Sequence, residues 1–136
     1  MNIEIKEKIK VTKSSDVANI FNSILVSENE VDQDKEHFWI TGLNADGTIK
    51  FIELVSLGVL NGSMVHPREV FRMAIIKGVC NIVCCHNHPS GNIQPSEEDK
   101  ATTQRLIKAG EIIGIPVLDH IIVGDGSFSF AENGLI

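Results

Sequence analysis

The middle of the chain, where an apolar strand, a loop and a helix follow one another, constrains the fold most strongly. Residues 79–85 are apolar and rich in β-branched side chains, which is typical of a buried strand. Ser96 predicts the N-cap of a helix over about 97–112, and Gly114 predicts its end. A second apolar run over 116–123 predicts another strand. Strands and helices that alternate in this way indicate an α/β domain.

The flanking segments predict hairpins, so the central sheet should be mixed rather than all parallel. The predicted elements there are a strand over 3–11 with a lysine-rich outer face, a helix capped by Ser14-Ser15-Asp16, a polar connection over 27–35, a hairpin of 36–43 and 48–57 around a turn at 44–47, a loop or short strand over 58–64, a helix from Pro67 to Gly78, and a strand over 127–130 after a turn at 124–126. We therefore predict a mixed sheet flanked by helices.

Helical and strand spacing predict which side chains face the core. The predicted inward positions are Val70, Phe71, Ala74 and Ile75 on one helix and Leu106, Ala109, Gly110 and Ile113 on the next. The three cysteines, Cys80, Cys84 and Cys85, lie close together in and before the strand over 79–85. Small apolar packing is the predicted role of all three.

Composition and charge restrict the class of protein. The 136 residues are 43% hydrophobic, which predicts a single domain over 1–136, with an N-terminal strand and helix in 1–35 and a motif-bearing core in 36–136. The net charge of −6 argues against broad nucleic-acid binding. Clustered cysteines of odd number and the lack of a signal-like or membrane-length apolar run predict a soluble cytoplasmic protein.

His86, His88 and Asp99 form the most informative polar pattern. Two histidines two residues apart on extended chain point to the same side, so their imidazoles can converge on one ion. Two imidazoles and a carboxylate are a ligand set of catalytic zinc, with one position left for water. The alternative is a pair of exposed loop histidines. The pair directly follows a buried strand, however, where α/β proteins place their sites.

Asp99 has a second explanation, because Ser96-x-x-Asp99 resembles a capping box. An acid in the first turn also interacts favourably with the helix dipole. Capping alone therefore accounts for Asp99, and only its spacing from the histidines suggests a ligand. We expect both roles, with Ser96 capping the helix and Asp99 turned towards the ion.

The same residues carry a family resemblance. The pattern His86-x-His88-Pro89 followed by Ser96-x-x-Asp99 matches the JAMM metalloprotease motif, and the strings VHPREVF (65–71), HPSG (88–91) and LDHIIVGDG (118–126) closely resemble the RadC family. The resemblance implies a three-layer, cytidine-deaminase-like α/β fold of the JAB/MPN kind, with zinc bound by His86, His88 and Asp99. It also implies cleavage of a peptide or isopeptide amide in a peptide or protein substrate, with Ser96 stabilising the oxyanion.

JAMM enzymes use a glutamate on an earlier strand as general base, and two residues compete for this role. Glu36 opens the first hairpin strand after a helix, as the JAMM glutamate does, although a solvated strand start is the alternative. Glu53 lies mid-strand among apolar residues, where the outer face of the strand is the alternative. We favour Glu36.

The remaining histidines have structural or supporting interpretations. His120 follows Asp119 at the core-facing end of a strand, and it either orients a zinc ligand or is a hydrogen-bonded buried residue. His66 is expected to be structural at a helix start. His37 is expected on the exposed face of its strand.

Other functions remain as alternatives to a zinc hydrolase. The 35 residues before Glu36 contain no Gly-x-Gly hairpin, so we expect a stand-alone form without the N-terminal helix-hairpin-helix region of full-length RadC proteins. The family's DNA-repair label therefore gains little support. A metal-dependent nuclease or DNA-repair factor and a non-catalytic MPN interaction module are the alternatives, and a homodimer is left open.

Overall fold

Six strands form one sheet in the described part of the chain. The computed structural model of the protein describes residues 2–3, 8–58 and 65–136. The strands are β1 (Asn2–Ile3), β2 (Glu36–Leu43), β3 (Ile49–Gly58), β4 (Asn81–Asn87), β5 (Val117–Gly124) and β6 (Gly126–Ser129). Their order across the sheet is β1-β3-β2-β4-β5-β6. β4 and β5 are parallel and the other neighbours antiparallel, so the sheet is mixed as predicted.

Helices cover both faces of this sheet and complete three layers. The helices are α1 (Ser14–Val26), α2 (Glu30–Gln33), α3 (Pro67–Lys77) and α4 (Glu97–Ile113). α1 lies on one face, where Phe21 stacks on Trp39 of β2. α3 and α4 lie on the other face, where Phe71 and Leu106 join a buried cluster with Phe38. The predicted three-layer α/β fold is confirmed.

The central position of β4 explains its sequence and sets the place of the site. β4 lies between β2 and β5, so a strand there must be apolar on both faces, and all of its residues after Asn81 are buried. Beyond its carboxyl end the chain turns into α4, which begins after Ser96 and ends at Gly114. The predicted α4 differs from the observed helix by one residue at its end. Crevices beyond the carboxyl ends of such strands are where open α/β sheets bind ligands.

Four side-chain predictions are wrong, for physical reasons that differ. His37 is fully buried rather than exposed, because β2 is a central strand and α1 covers that face. Cys80 is exposed, because it precedes β4 and lies outside the covered strand. Ile75 and Ile113 are 58% and 41% exposed. α3 and α4 contact the sheet along narrow stripes, and these two positions flank them.

The predictions for the N-terminal half of the chain are confirmed in part. β1 pairs with β3, and Lys10 forms an isolated bridge with Thr48, but residues 4–7 of the strand predicted over 3–11 lie outside the described residues. The loop or short strand predicted over 58–64 lies outside them too, apart from Gly58. The polar connection over 27–35 contains α2, and His66 is the N-cap of α3, as expected for a helix start. Among the helices described, none has the length and apolar character needed to cross a bilayer.

Candidate metal centre

The three predicted ligands converge at the carboxyl end of β4. The Nε2 atoms of His86 and His88 lie 2.9 Å apart. Asp99 Oδ1 lies 3.3 Å from His86 Nε2, and Asp99 Oδ2 lies 3.1 Å from His88 Nε2. One ligand atom from each residue lies within 4.8 Å of the others. Two imidazoles and one carboxylate therefore face a single point.

β4 and the loop that follows it fix the two imidazoles. His86 lies on β4 itself and is fully buried. His88 follows the strand, and its backbone N–H still donates to the carbonyl oxygen of Val123 on β5 at 2.9 Å. His88 Nδ1 lies 2.6 Å from the carbonyl oxygen of Asn92. Because a carbonyl only accepts, Nδ1 carries a proton, and Nε2 is the nitrogen available to a metal.

Two glycines allow the loop that carries His88 to pack closely on the turn after β5. The N–H of Asp125 donates to the carbonyl oxygen of Gly91 at 2.8 Å. A Cβ on Gly124 would lie 2.7 Å from that same oxygen. Gly91 has a φ of 89°, and a Cβ there would meet the Asp125 carboxylate. A side chain at either position would displace the segment next to His88.

Asp99 caps α4 and faces the histidines at the same time. The N–H of Ser96 donates to Asp99 Oδ2 at 2.9 Å, and the N–H of Asp99 donates to Ser96 Oγ at 3.0 Å. This is a complete capping box. A carboxylate has about four acceptor positions, so one cap hydrogen bond leaves the remainder for a cation. Capping and ligation are therefore compatible in this geometry.

The carboxylate of Asp99 is held in the charged form that a metal ligand needs. Burial alone would raise the pKa of Asp99, but its contacts with the imidazoles of His86 and His88 and with the N–H of Ser96 outweigh burial and hold that pKa well below its ordinary value of 3.8. The same contact with Asp99 raises the pKa of His88 above its ordinary 6.5 in the metal-free protein. Asp99 is thus ionised at neutral pH, as a metal ligand must be.

The donor set fits a first-row metal ion such as zinc. Zinc bonds nitrogen and carboxylate oxygen at about 2.0–2.2 Å, which puts neighbouring ligand atoms of a tetrahedron about 3.3–3.6 Å apart. The two Nε2 atoms lie 2.9 Å apart, and they lie 3.3 and 3.1 Å from Oδ1 and Oδ2 of Asp99, so the three side chains stand slightly closer together than they would around an ion. Two imidazoles and one carboxylate with an open side are typical of catalytic rather than structural zinc. The same donors also bind other ions of this series, so the donor set alone does not select zinc among them.

A cleft of about 730 Å³ opens beside the ligands. Its described lining consists of Asp34, Lys35, Glu36, Gly58, His88, Pro89, Ser90, Ser96, Glu98 and Asp99. Glu36 begins β2, next to β4, and its charge adds to that of Asp99 in raising the pKa of His88. Ser96 Oγ accepts the N–H of Asp99 and keeps its own proton for donation. An acid and a hydroxyl therefore face the space next to the histidines.

Glu53, the other candidate for the base, lies away from this cleft. It pairs with Ile40 in the middle of the sheet, whereas Gly58 at the end of the same strand lines the cleft. Glu53 is 8% exposed, and burial raises its pKa above the ordinary 4.5. Its charged neighbours include Arg72 and Glu69 of α3. Of the two acids, only Glu36 lines the described cleft.

His120 lies directly behind His86. Its Nε2 is 2.6 Å from His86 Nδ1, the ring nitrogen that does not face the other ligands. The His120 ring is fully buried between Phe38 and Phe130, and burial holds its pKa well below 6.5. The sequence leaves open whether His120 is a buried, hydrogen-bonded residue or a residue that contacts a zinc ligand. The two descriptions are compatible, since His120 is buried and its hydrogen-bond partner is a candidate ligand.

Asn87 joins the two halves of the site. The N–H of His37 donates to Asn87 Oδ1 at 2.6 Å, and Asn87 Nδ2 donates to the carbonyl oxygen of Lys35 at 3.0 Å. Lys35 and His37 are the residues on either side of Glu36. One buried amide thus ties the backbone around Glu36 to the strand that carries His86.

We expect Asn87→Leu to lower the free energy of unfolding by about 1–3 kcal/mol, because leucine of similar size leaves the buried N–H of His37 without an acceptor. Asn19→Leu makes the same change at an exposed position of α1 and should alter stability by no more than about 0.5 kcal/mol. Urea denaturation of the metal-free proteins measures both values. Equal effects of the two variants would contradict this role of Asn87.

Sequence reasoning missed two residues around the centre, Asn87 and Thr103. The sequence gives a weak indication of Asn87, because it is a polar residue that lies between two candidate ligands and continues a buried strand. Thr103 lies one helical turn after Asp99, where its hydroxyl donates to the Asp99 carbonyl oxygen at 2.8 Å and meets His120 Nδ1 at 2.6 Å. That second contact depends on the packing of α4 against β5, which no local pattern shows.

Comparison with known proteins confirms the resemblance to the RadC family. A profile of the RadC-like JAB domain matches residues 11–135. A UPF0758 protein of Desulforamulus reducens is 51% identical over 113 residues, which are 82% of this chain and 50% of that protein. UPF0758 proteins of Caldanaerobacter subterraneus and Staphylococcus haemolyticus are 47% and 46% identical over 94% and 96% of this chain, and over 53% and 56% of their own lengths. The chain spans about half the length of these curated relatives, and it belongs to the RadC-like JAB domain family.

Proposed function

We propose that this chain is a zinc-dependent hydrolase that cleaves a peptide or isopeptide amide. One observation carries the proposal: His86, His88 and Asp99 converge beside a cleft that Glu36 and Ser96 line. The names of the relatives state no activity, so the argument rests on the chemistry of the site. His88 and Asp99 line the cleft and His86 is buried beside them, which supports a metal position that a substrate in the cleft can reach.

Each residue has a separate task in amide hydrolysis. A zinc ion held by the three ligands would lower the pKa of a water molecule towards 7 and polarise the substrate carbonyl. Glu36 takes a proton from the attacking water and returns it to the leaving amine nitrogen. The hydroxyl of Ser96 donates a hydrogen bond to the carbonyl oxygen as negative charge develops there. The water oxygen ends in the new carboxyl group, the C–N bond breaks, and no further reactant is needed.

The cleft has the volume of an ordinary ligand pocket. Ligand pockets are commonly about 300–1,000 Å³, and the cleft volume of about 730 Å³ lies within that range. Glu36 and Ser96 come from different elements, the start of β2 and the start of α4. A carbonyl bound above the metal position would therefore meet a base from one element and a donor from the other.

The test combines metal analysis with hydrolysis. Protein purified without chelators is expected to carry about one zinc per chain by elemental mass spectrometry. It is also expected to cleave members of a library of short peptides and lysine isopeptide conjugates, with ¹⁸O from labelled water entering the new carboxyl group. Zinc-loaded protein that cleaves neither substrate class would contradict the proposal. Metal-dependent nicking of plasmid DNA that His88→Ala abolishes would support the nuclease alternative instead.

A further inference from the structure

We propose that Thr103 and His120 form a hydrogen-bond chain that fixes His86 in the tautomer able to bind a metal. His120 is then a positioning residue and not a fourth ligand. The inference rests on the proposed metal site, but it is independent of the substrate and of whether the chain hydrolyses amides.

Three contacts, two of them buried and the one at Asp99 part-buried, link α4 to His86. Thr103 Oγ1 lies 2.8 Å from the carbonyl oxygen of Asp99 and 2.6 Å from His120 Nδ1. His120 Nε2 lies 2.6 Å from His86 Nδ1. All three side chains are almost wholly inaccessible to solvent, so water does not compete for these contacts. In such surroundings each donor must be matched by an acceptor.

The number of protons gives the chain its direction. A carbonyl oxygen only accepts, so the contact with Asp99 uses the single hydroxyl proton of Thr103. Thr103 Oγ1 then accepts a proton from His120 Nδ1. A neutral His120 has no second N–H, so its Nε2 accepts from His86 Nδ1. His86 is left with a bare Nε2, which faces His88 and Asp99.

The opposite direction leaves one contact of the chain without a proton and blocks the metal position. If Thr103 donated to His120, its contact with the Asp99 carbonyl would contain no proton. His120 would then donate from Nε2, and His86 would carry its own proton on Nε2, at the metal position. Only the first direction makes a hydrogen bond at every contact and presents a lone pair to an ion. Metal-binding histidines commonly have their other ring N–H held by an acceptor in this manner.

The surroundings of His120 hold its ring in place and use both of its nitrogens. Its backbone N–H donates to the Asp119 carboxylate at 2.7 Å, and that carboxylate also accepts the hydroxyl of Ser129 at 2.6 Å. The Phe130 ring stacks on the imidazole with centroids 4.7 Å apart. Because Nδ1 bonds Thr103 and Nε2 bonds His86, neither nitrogen is free to coordinate a metal.

The experiment measures tautomers and zinc affinity without a substrate. Long-range ¹H–¹⁵N correlation spectra of the metal-free protein show which ring nitrogen carries the proton, and we expect Nδ1 for both His86 and His120. Chelator competition should show zinc affinity falling about 10–100-fold in Thr103→Val. Thr103→Ser, which keeps the hydroxyl, should restore it. Thr102→Val makes the same change at the preceding buried position of α4 and should alter zinc affinity by less than threefold.

Each outcome decides the matter. A wild-type His86 protonated on Nε2, or unchanged zinc affinity in Thr103→Val, would overturn the proposal. The tautomer measurement needs no variant, so a poorly folded Thr103→Val protein does not remove the test. Wild-type protein that binds no zinc would overturn this inference together with the metal site. Absence of peptide cleavage, with the tautomers and affinities as expected, would refute only the hydrolase proposal.

Discussion

Asp99→Asn is expected to lower zinc affinity by more than about 100-fold. Removing a residue that only hydrogen-bonds a metal ligand costs up to about 100-fold, and loss of a charged ligand should cost more. The amide keeps the shape of the side chain, and its carbonyl oxygen can still accept the N–H of Ser96, so α4 stays capped. The substitution removes the negative charge that faces His86 and His88. Asp99→Asn therefore tests metal binding without disturbing the cap of α4. Asp99→Ala would remove both the ligand and the cap, so its effects could not be told apart.

Chelator competition gives the affinities, and thermal denaturation gives an independent readout. Zinc at about 1,000 times the wild-type Kd stabilises the protein by about 4 kcal/mol. The same concentration is at most about 10 times the Kd of Asp99→Asn and stabilises that variant by no more than about 1.4 kcal/mol, so the zinc-dependent rise in Tm should fall to about a third or less. Ser96→Ala is the matched control for capping. It removes the acceptor for the Asp99 N–H and should cost about 1 kcal/mol of stability, but it leaves all three ligands in place. If Asp99→Asn binds zinc as tightly as the wild type, Asp99 is a helix cap and nothing more.

β4 and α4 show how far the sequence alone determines this molecule. The apolar run before His86 predicts a buried strand, and Ser96 and Gly114 predict both ends of the helix, because these signals are local. The convergence of His86 with His88 follows from strand geometry. The position of Asp99 follows from helix capping, which turns its carboxylate back over the start of α4. The three candidate ligands could therefore be found without a structure.

Residues whose role depends on neighbouring strands could not be assigned in this way. Glu36 and Glu53 both lie on hairpin strands, and only the pairing of β2 with β4 brings the first of them to the cleft. His37 was misjudged for a related reason, since alternation predicts an exposed face only for a strand that is covered on one side. His120 lies next to His86 through the parallel pairing of β4 with β5, and it meets Thr103 because α4 packs against β5. Strand order across the sheet is non-local information, and local periodicity does not contain it.

Glu36→Gln is expected to lower the rate of amide hydrolysis by about 10²–10⁴-fold, the range for loss of a general acid or base. Zinc affinity should change by less than threefold, because Glu36 is not one of the three ligands. Glutamine keeps the size of the side chain and can still hydrogen bond, but it cannot take a proton from water. The Asn87 amide continues to hold the backbone on both sides of position 36, so the variant should keep its geometry. The measurements are kcat/KM on a peptide that the wild type cleaves, and a zinc titration.

Glu53→Gln is the matched control, since it makes the same chemical change on the neighbouring strand. Glu53 faces the side of the sheet near Arg72 and Glu69 and does not line the described cleft, so this variant should hydrolyse the peptide at the wild-type rate. Its stability should not fall, because burial already raises the pKa of Glu53 and disfavours the charged form that glutamine replaces. Loss of hydrolysis in Glu53→Gln but not in Glu36→Gln would place the general base on β3. Retention of activity by both variants would mean that a group other than these two acids takes the proton. The proposed catalytic role of Glu36 would then be wrong.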